Sequence, residues 1–324
     1  MSVTRAFGLL LGVAADAVLG DPKRWHPVAG FGRLAQRLEK VIYRDNRAGG
    51  VIHTAALVGG AVGLGLLVER SRSPVVRVVG TAAATWVVLG GRSLALEGAM
   101  IGGLLSAEDI TRARGRLPHL CGRDPSSLDL TGLARATVES VAENTSDAVV
   151  APLLWGAVAG VPGLLGYRAV NTLDAMVGHR SARYQRFGWA AARLDDLANL
   201  APARVAAALT VAAAPLVKGD RGRAWEAWQR DAGAHPSPNA GQVEAAFAGA
   251  LGVRLGGRTE YSYGVEDRPV LGVGRDPDAT DVARAVTLSR VVSYLATGVA
   301  VVVTLTRRAR VRRPQRGSRP PSGA

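Results

Sequence analysis

Several long runs of apolar residues constrain this fold more than any other feature of the sequence. Residues 51–68, VIHTAALVGGAVGLGLLV, contain no Asp, Glu, Lys or Arg. At about 1.5 Å per residue, a helix of this length crosses most of a hydrocarbon core of about 30 Å. Further apolar runs occupy residues 7–20, 78–91, 148–165, 200–217 and 291–306. The pattern predicts a polytopic integral membrane protein.

The composition agrees with a membrane protein built of closely packed helices. Hydrophobic residues make up 48% of the chain but aromatic residues only 5%, and there are 40 glycines. Small residues of this kind let membrane helices approach one another. Apolar residues recur at helical spacing, whereas strict strand-like alternation is nearly absent. We therefore expect an all-α fold with helical loops that face the cytoplasm.

The charges indicate contact with a membrane rather than with nucleic acid. The formal net charge is +14, but the basic residues are scattered between apolar runs and are not interleaved with aromatic side chains. An Arg-rich segment, residues 307–324, predicts a disordered cytoplasmic tail behind one membrane-embedded catalytic domain, residues 1–306. The expected location is the cell membrane. One cysteine, Cys121, excludes an intramolecular disulfide and a multi-cysteine zinc site.

The apolar run 148–165 has polar segments on both sides. If both segments contribute to one active site, the run does not simply cross the bilayer between them. Gly156, Gly160, Pro162 and Gly163 interrupt it, which favours a broken or re-entrant segment buried in protein at membrane depth.

The segment before this run, ESVAENTSD, carries closely spaced acids. Glu139, Glu143 and Asp147 repeat every four residues and would share one helix face, with Asn144 beside them. Like charges this close repel one another. One interpretation is a helix cap, because acids are favourable near a helix N-terminus. The other is a magnesium ion bound through carboxylates and water.

Two further clusters follow the run. Asn171 and Asp174 precede several arginines, which suits a metal-bound polyphosphate, although arginines near a helix end are common. Asp195 and Asp196 lie close to Asn199 in RLDDLAN, between two other candidates, Arg193 and Arg204. A salt bridge between Arg193 and Asp196 would explain one of these acids. Charges at a membrane boundary are otherwise costly unless they are paired or functional.

Two more segments contain candidate binding residues. HPSPNAGQVEAA includes Asn239 and Glu244, and GDPKRWHPV includes Asp21 and His26. A single histidine usually has a structural role, but a histidine just after the end of a helix can also line a binding site. There is no Walker motif and no dinucleotide fingerprint, so a nucleotide site would be of another kind.

In their order along the chain, these motifs resemble the CobD/CbiB family of cobalamin biosynthesis, the adenosylcobinamide-phosphate synthases. The resemblance rests on GDP..WHPV, ENTSDAVVAPL, YRAVNTLDAMVG, FGWAAARLDDLANLAPAR and HPSPNAG.VEAA.AGALGV.LGG, between about residues 6 and 300. It implies a membrane enzyme that joins aminopropanol, as its phosphate, to adenosylcobyric acid, with consumption of ATP and a requirement for Mg²⁺. Ala148 stands where the family pattern usually has Gly.

Given this resemblance, we predict roles for the candidate residues. Four acids would hold magnesium: Glu143, Asp147, Asp174 and Asp196. Arg193 and Arg204 would bind phosphates or the substrate carboxylate, and Asp195 or Glu139 would deprotonate the incoming ammonium. The remaining substrate-binding candidates are Asp21, His26, Asn144, Asn171, Asn199, Asn239 and Glu244. The expected partners are the corrinoid, aminopropanol phosphate and the bilayer, with other cobalamin-biosynthesis enzymes as candidates.

Two other classes of function stay open. Magnesium-dependent intramembrane prenyl- or alcohol-phosphate transferases also place Asp clusters at helix ends, and LDDLAN comes near their patterns. A transporter or scaffold would use buried acids to carry cations, but the grouping of the polar motifs in hydrophilic loops argues against it.

Overall fold

The computed structural model describes residues 2–22, 26–179, 181–261 and 264–311, with side chains left undescribed at 258–261, 264–266 and 307–311. The helices are α1 (Ser2–Leu19), α2 (Pro27–Ile42), α3 (Arg47–Arg70), α4 (Pro74–Val88), α5 (Gly91–Ser106), α6 (Ile110–Arg116), α7 (Leu130–Thr145), α8 (Ala151–Leu173), α9 (Trp189–Ala213), α10 (Arg221–Asp231), α11 (Ala240–Leu251) and α12 (Ala279–Val311). Two strands, β1 (Leu255–Tyr261) and β2 (Gly264–Leu271), pair antiparallel. The predicted all-α fold class is confirmed.

Six helical segments of the described chain are long and apolar enough to span a membrane. They are Ser2–Leu19, Arg47–Arg70, Pro74–Ser106, Leu130–Gly178, Trp189–Val217 and Ala279–Thr306. Each predicted apolar run lies within one of them or shares most of its length with one. The protein is therefore a polytopic membrane protein. α12 extends to Val311, into the stretch predicted as a tail, and residues 312–324 lie outside the described part of the chain.

Close helix packing in the membrane part depends on small residues. α1 packs along α4, and α3 packs along α8. A Cβ atom added at Gly12 of α1 would lie only 2.3 Å from Cβ of Thr85 on α4. Glycine is required at this crossing because any side chain would push the two helices apart.

The small β-hairpin departs from the helical pattern. Its strands follow α11 directly and contain glycines and charged residues instead of alternating apolar ones, which is why the sequence pattern did not predict it. The register shifts between Leu255 and Gly257, and Gly256 and Gly257 have φ angles of +82° and +81°. Glycine adopts positive φ angles of this size readily. The two glycines form a bulge at the base of the hairpin.

The predicted break in the run 148–165 is confirmed, and the chain turns back on itself there. Gly160, with φ 70° and ψ −148°, interrupts α8. Beyond it, a Cβ atom at Gly163 would lie 2.2 Å from the carbonyl oxygen of Trp155. Residues eight apart cannot meet in a continuous helix, since about 1.5 Å of rise per residue would separate them by roughly 12 Å. α8 is thus a helical hairpin whose two arms lie side by side.

An ion pair from two other helices holds the turn of this hairpin. Arg5 of α1 contacts Glu69 of α3 at 3.0 Å. Glu69 Oε1 also accepts a hydrogen bond from the backbone N–H of Val161 at 3.3 Å, and Arg5 donates to the carbonyl of Ala157 at 3.4 Å. The pair therefore supplies hydrogen-bond partners to backbone groups that lose their helical partners at Gly160. Non-helical backbone at membrane depth requires such partners.

Replacing Gly160 by Ala tests this turn. Its backbone conformation is essentially restricted to glycine, and an added Cβ would lie 2.0 Å from Glu69 Oε1. We expect Gly160→Ala to lower the free energy of unfolding by about 1–3 kcal/mol, measured as the thermal midpoint in detergent. The matched control is Gly60→Ala on α3, where the added atom meets nothing within 4 Å. Equal midpoints for the two variants would contradict the account of the turn.

The return of the chain also predicts its topology. In a Cys121→Ser background, cysteines at Ser126 and His179, both exposed, should react with a membrane-impermeant thiol reagent from the same side. A cysteine at the exposed Arg72, in the turn between α3 and α4, should react only from the opposite side. Labelling of positions 126 and 179 from opposite sides would show that α8 crosses the bilayer.

Candidate active site

Five carboxylates line one cavity of about 390 Å³ between α7, α8, α9 and α11, called here the acidic pocket. They belong to Glu143, Asp147, Asp174, Asp195 and Asp196. The structure thus brings together all four acids predicted to bind magnesium, together with Asp195. The grouping follows from the fold, because these residues belong to three separate sequence clusters.

Local irregularities of the helices turn the acids toward the pocket. α7 leads into a π-helical turn at Ser146–Val150, and α8 ends in a second one at Asp174–Gly178. Such turns add one residue to the helical repeat and are frequent at functional sites. Because α8 doubles back, Asp174 comes close to Asp147. A side chain at Gly178 would collide with the carboxylate of Asp174, so glycine leaves room for that acid.

Neutral side chains hold the carboxylates in place. Asn171 lies with its Nδ2 atom 3.5 Å from both Asp147 Oδ2 and Asp195 Oδ1. Asn199 donates to Asp195 Oδ2 at 3.0 Å, and the hydroxyl of Tyr167 donates to Asn199 Oδ1 at 2.9 Å. These contacts orient the acids without cancelling their charge. The pocket therefore keeps a negative potential that favours a cation.

Asp196 lies at the rim, where α9 meets α11. Its backbone carbonyl accepts a hydrogen bond from Asn239 Nδ2 at 2.8 Å. Its carboxylate lies 3.5 Å from Arg193, whose side chain is 68% exposed, so the salt bridge considered from the sequence is present. A second cavity of about 330 Å³ shares Asp196 and is also lined by Arg193. Arg193 thus stands at the entrance rather than inside the acidic pocket.

The donor set suits a hard cation such as Mg²⁺. The carboxylates supply oxygen ligands, and two buried oxygens of pocket-lining residues, Ser146 Oγ and Asn239 Oδ1, have no hydrogen-bond partner among the described residues. Within that same part of the chain, no three His, Cys, Asp or Glu side chains are close enough to hold a metal together. Mg²⁺ commonly uses one or two carboxylates plus water and substrate phosphates, and such a mixed shell fits this pocket.

Two predicted residues, Glu139 and Glu244, lie behind the pocket. Glu139 is 3% exposed and accepts hydrogen bonds from Arg123 and from the backbone N–H of Gly256, both at 2.6 Å. Glu244 is 1% exposed and lies 3.9 Å from Nε2 of His235. Burial raises the pKa of Glu244 well above its ordinary value, and the nearby charges of Glu139 and Glu143 add to this effect.

Besides Glu139, Glu244, Arg193 and Asn171, four further predicted residues do not line the pocket: Asp21, His26, Asn144 and Arg204. His26 caps α2 by accepting from the N–H of Val28 at 3.1 Å, which is a structural role. Asn144 donates to the carbonyl of Ser140, and the exposed Arg204 donates to the carbonyl four residues before it. Asp21 lies close enough to Arg168 to interact with it electrostatically, and Arg168 also interacts in this way with Asp147 of the pocket. Their predicted binding roles stay predictions.

Several residues that line or support the acidic pocket were not predicted from the sequence. Arg268 comes from β2, a strand that the pattern did not indicate, and His235 stands in the quoted HPSPN motif without having been assigned a role. His179 directly follows the YRAVNTLDAMVG motif and was not among the predicted site residues. Tyr167 stands in YRAVN, but its contact with Asn199 depends on the return of α8.

Comparison with known proteins identifies the family of this chain. The family model described as CobD/Cbib protein matches residues 9–289. A protein of Mycobacterium tuberculosis named cobalamin biosynthesis protein CobD is 56% identical over 305 residues, which cover 94% of this chain and 97% of that protein. Proteins of the same name from Rhodobacter capsulatus and Chromobacterium violaceum are 45% and 42% identical, each over 87% of this chain and over 92% and 91% of their own lengths. No solved structure matches. The chain belongs to the CobD/CbiB family.

Proposed function

We propose that this protein is an ATP-dependent amide ligase that joins (R)-1-amino-2-propanol phosphate, or aminopropanol, to adenosylcobyric acid. The product would be adenosylcobinamide phosphate. The observation that carries the proposal is the acidic pocket, in which carboxylates from three sequence motifs meet at the base of the α8 hairpin. Membership of the CobD/CbiB family gives the chain a role in cobalamin biosynthesis. The resemblance of the motifs to the synthases supports the specific reaction.

Amide formation from a carboxylate needs activation, because a carboxylate is a poor electrophile. In the proposed sequence, a carboxylate oxygen of the corrinoid attacks the terminal phosphorus of ATP. The bond to the bridging oxygen breaks, and its electron pair leaves with ADP. The amine then attacks the acyl carbon, and the carbon–oxygen bond to phosphate breaks. The phosphate leaves with that electron pair and takes a proton from the nitrogen, which leaves the amide.

The acids on the pocket wall fit magnesium, which would neutralise phosphate charge when bound. Asp147, Asp174, Asp196 and Glu143 are its proposed ligands. One or two of them would bind the ion directly and the others through water, because no three such side chains in the described chain are close enough to hold a metal together. Asn171 and Asn199 keep the acids oriented through the contacts described above. Preorganised donors of this kind need not rearrange during the reaction.

A base must take a proton from the ammonium before it can attack. Of the two candidates, Asp195 is half-buried and lines the pocket. Glu139 is buried, and both of its oxygens are engaged by Arg123 and Gly256. We assign the base to Asp195, which can accept the ammonium proton at a carboxylate oxygen.

The size of the pocket limits what it can enclose. About 390 Å³ lies at the lower end of the range for small-molecule sites and is too small for a corrinoid macrocycle. The pocket can hold the phosphates and the reacting carboxylate, while the macrocycle stays outside its mouth. The neighbouring cavity that Arg193 lines is the proposed place for the outer part of the substrates.

One observation favours the alternative, a magnesium-dependent prenyl- or alcohol-phosphate transferase. An apolar cavity of about 400 Å³ between α2, α3, α4 and α8 includes Arg168 in its lining. Arg168 lies 3.4 Å from Asn171 Oδ1, next to the acidic pocket. An apolar chain in this cavity would place a phosphate near the acids, so the alternative is included in the test.

The direct test is synthesis of the amide by purified protein. Detergent-purified enzyme, adenosylcobyric acid, aminopropanol phosphate, Mg²⁺ and ATP should give the amide, detected by mass spectrometry, and chelation of Mg²⁺ should abolish it. Asp195→Asn should lower kcat by about 100-fold or more, in the range of acid–base effects. Asp147→Asn should also lower kcat, because it removes a proposed carboxylate ligand of Mg²⁺. Asp220→Asn is the matched control, because this exposed residue caps α10 and Asn caps equally well.

Two outcomes would reject the proposal. One is the absence of amide from wild-type enzyme under all these conditions, with transfer of a prenyl or alcohol phosphate instead. The other is full activity of both pocket variants, which would place the chemistry away from the acidic pocket.

A further inference from the structure

The acidic pocket has one guanidinium in its lining, that of Arg268, within the part of the chain that the structure describes. The pocket's acids come from α7, α9 and the two π-helical turns, whereas Arg268 comes from β2 of the small hairpin. A strand thus adds a positive charge to a site that helices make negative.

The base of this hairpin is attached to helices on both strands. On β1, the backbone N–H of Gly256 donates to Glu139 at 2.6 Å, and Arg123 holds the other oxygen of Glu139 at 2.6 Å. Just after β2, the N–H of Gly272 donates to Asp231 Oδ2 at 2.7 Å. These bonds fix the position of the hairpin against α7 and α10, so the side chains on β2 are placed from a rigid base.

The strand register also favours a long side chain at position 268. Arg268 pairs with Gly257, a residue without a side chain, next to the bulge at Gly256. No bulky neighbour therefore stands directly across the ladder from Arg268. Its guanidinium lines the acidic pocket and lies close enough to Glu143 and Glu244 to attract their carboxylates electrostatically.

A polyphosphate in this pocket needs donors on two sides. Its oxygens would be repelled by five carboxylates unless a metal ion stands between the two groups. Phosphate oxygens turned away from that ion still require hydrogen-bond donors. A guanidinium offers a rigid fork that matches two phosphate oxygens and keeps its charge at every working pH. Arg268 is the lining residue with this chemistry.

We propose that Arg268 binds the terminal phosphate of ATP and that the β-hairpin positions the Arg268 guanidinium for this contact. The inference rests on the proposed function for its ligand and names a residue for it that the family resemblance did not include. Arg123 and Glu139 are positioning residues, since they act on the phosphate only through the hairpin. Glu139 therefore contributes to the site as the anchor of β1 and not as the base.

The test is nucleotide binding to the purified full-length protein, measured by calorimetry with MgATP and with MgADP. Arg268→Ala should weaken MgATP binding by about 10- to 100-fold, the effect of losing a charged hydrogen-bonding group. MgADP, which lacks the terminal phosphate, should be affected much less. Arg268→Lys keeps the charge but loses the fork, so it should bind MgATP with intermediate affinity.

Arg254→Ala is the matched control. Arg254 also lies at the base of the hairpin, but it forms an exposed ion pair with Asp276 at 2.6 Å and does not line the pocket. Its MgATP affinity should equal that of the wild type. If Arg268→Ala does not purify as a folded protein, the comparison of Arg268→Lys with wild type decides the question.

The outcomes separate this inference from the proposed function. Wild-type protein that binds MgATP through Arg268 but forms no amide would refute the ligase and leave the phosphate site standing. An active ligase in which Arg268→Ala and Arg268→Lys bind MgATP as the wild type does would refute the phosphate site alone. Equal weakening of MgATP and MgADP, or no nucleotide binding by wild type, would also overturn the inference.

Discussion

The turn of α8 at Gly160 is the constraint on which the rest of the site depends. Backbone that leaves a helix at membrane depth must find other partners for its N–H and C=O groups. The Arg5–Glu69 pair supplies them, and glycine adopts the conformation that other residues would not tolerate. At about 1.5 Å per residue, the arm from Asp147 to Gly160 reaches roughly 20 Å, less than a hydrocarbon core of about 30 Å.

Because the chain returns, acids that are distant in the sequence become neighbours. Asp147 precedes the first arm and Asp174 follows the second, and the contacts of Asn171 and Tyr167 with Asp147 join the two arms at their base. A single crossing would have separated these acids by the thickness of the bilayer. The cost of gathering like charges is reduced by neutral amide donors, and a bound cation would reduce it further. The acidic pocket is therefore a product of the topology.

The sequence predicted the membrane helices, the break in the run 148–165 and the acids of the pocket. These features depend on local patterns, namely continuous apolar stretches, glycine and proline interruptions, and carboxylates at helical spacing. The hairpin was not predicted, because β1 and β2 contain glycines and charges and lack alternation. Arg268 was missed for the same reason. The engagement of Glu139 by Arg123 and Gly256 depends on tertiary contacts that spacing along one helix cannot indicate.

The central claim is that the carboxylates at the base of the α8 hairpin form one metal-binding, nucleotide-binding site. Anomalous diffraction from crystals grown with Mn²⁺ and a non-hydrolysable ATP analogue tests this claim most directly. We predict an anomalous peak inside the acidic pocket, next to the carboxylates of Asp147, Asp174 and Asp196, with the terminal phosphate of the analogue beside it. A peak elsewhere, with the nucleotide bound away from these acids, would contradict the account.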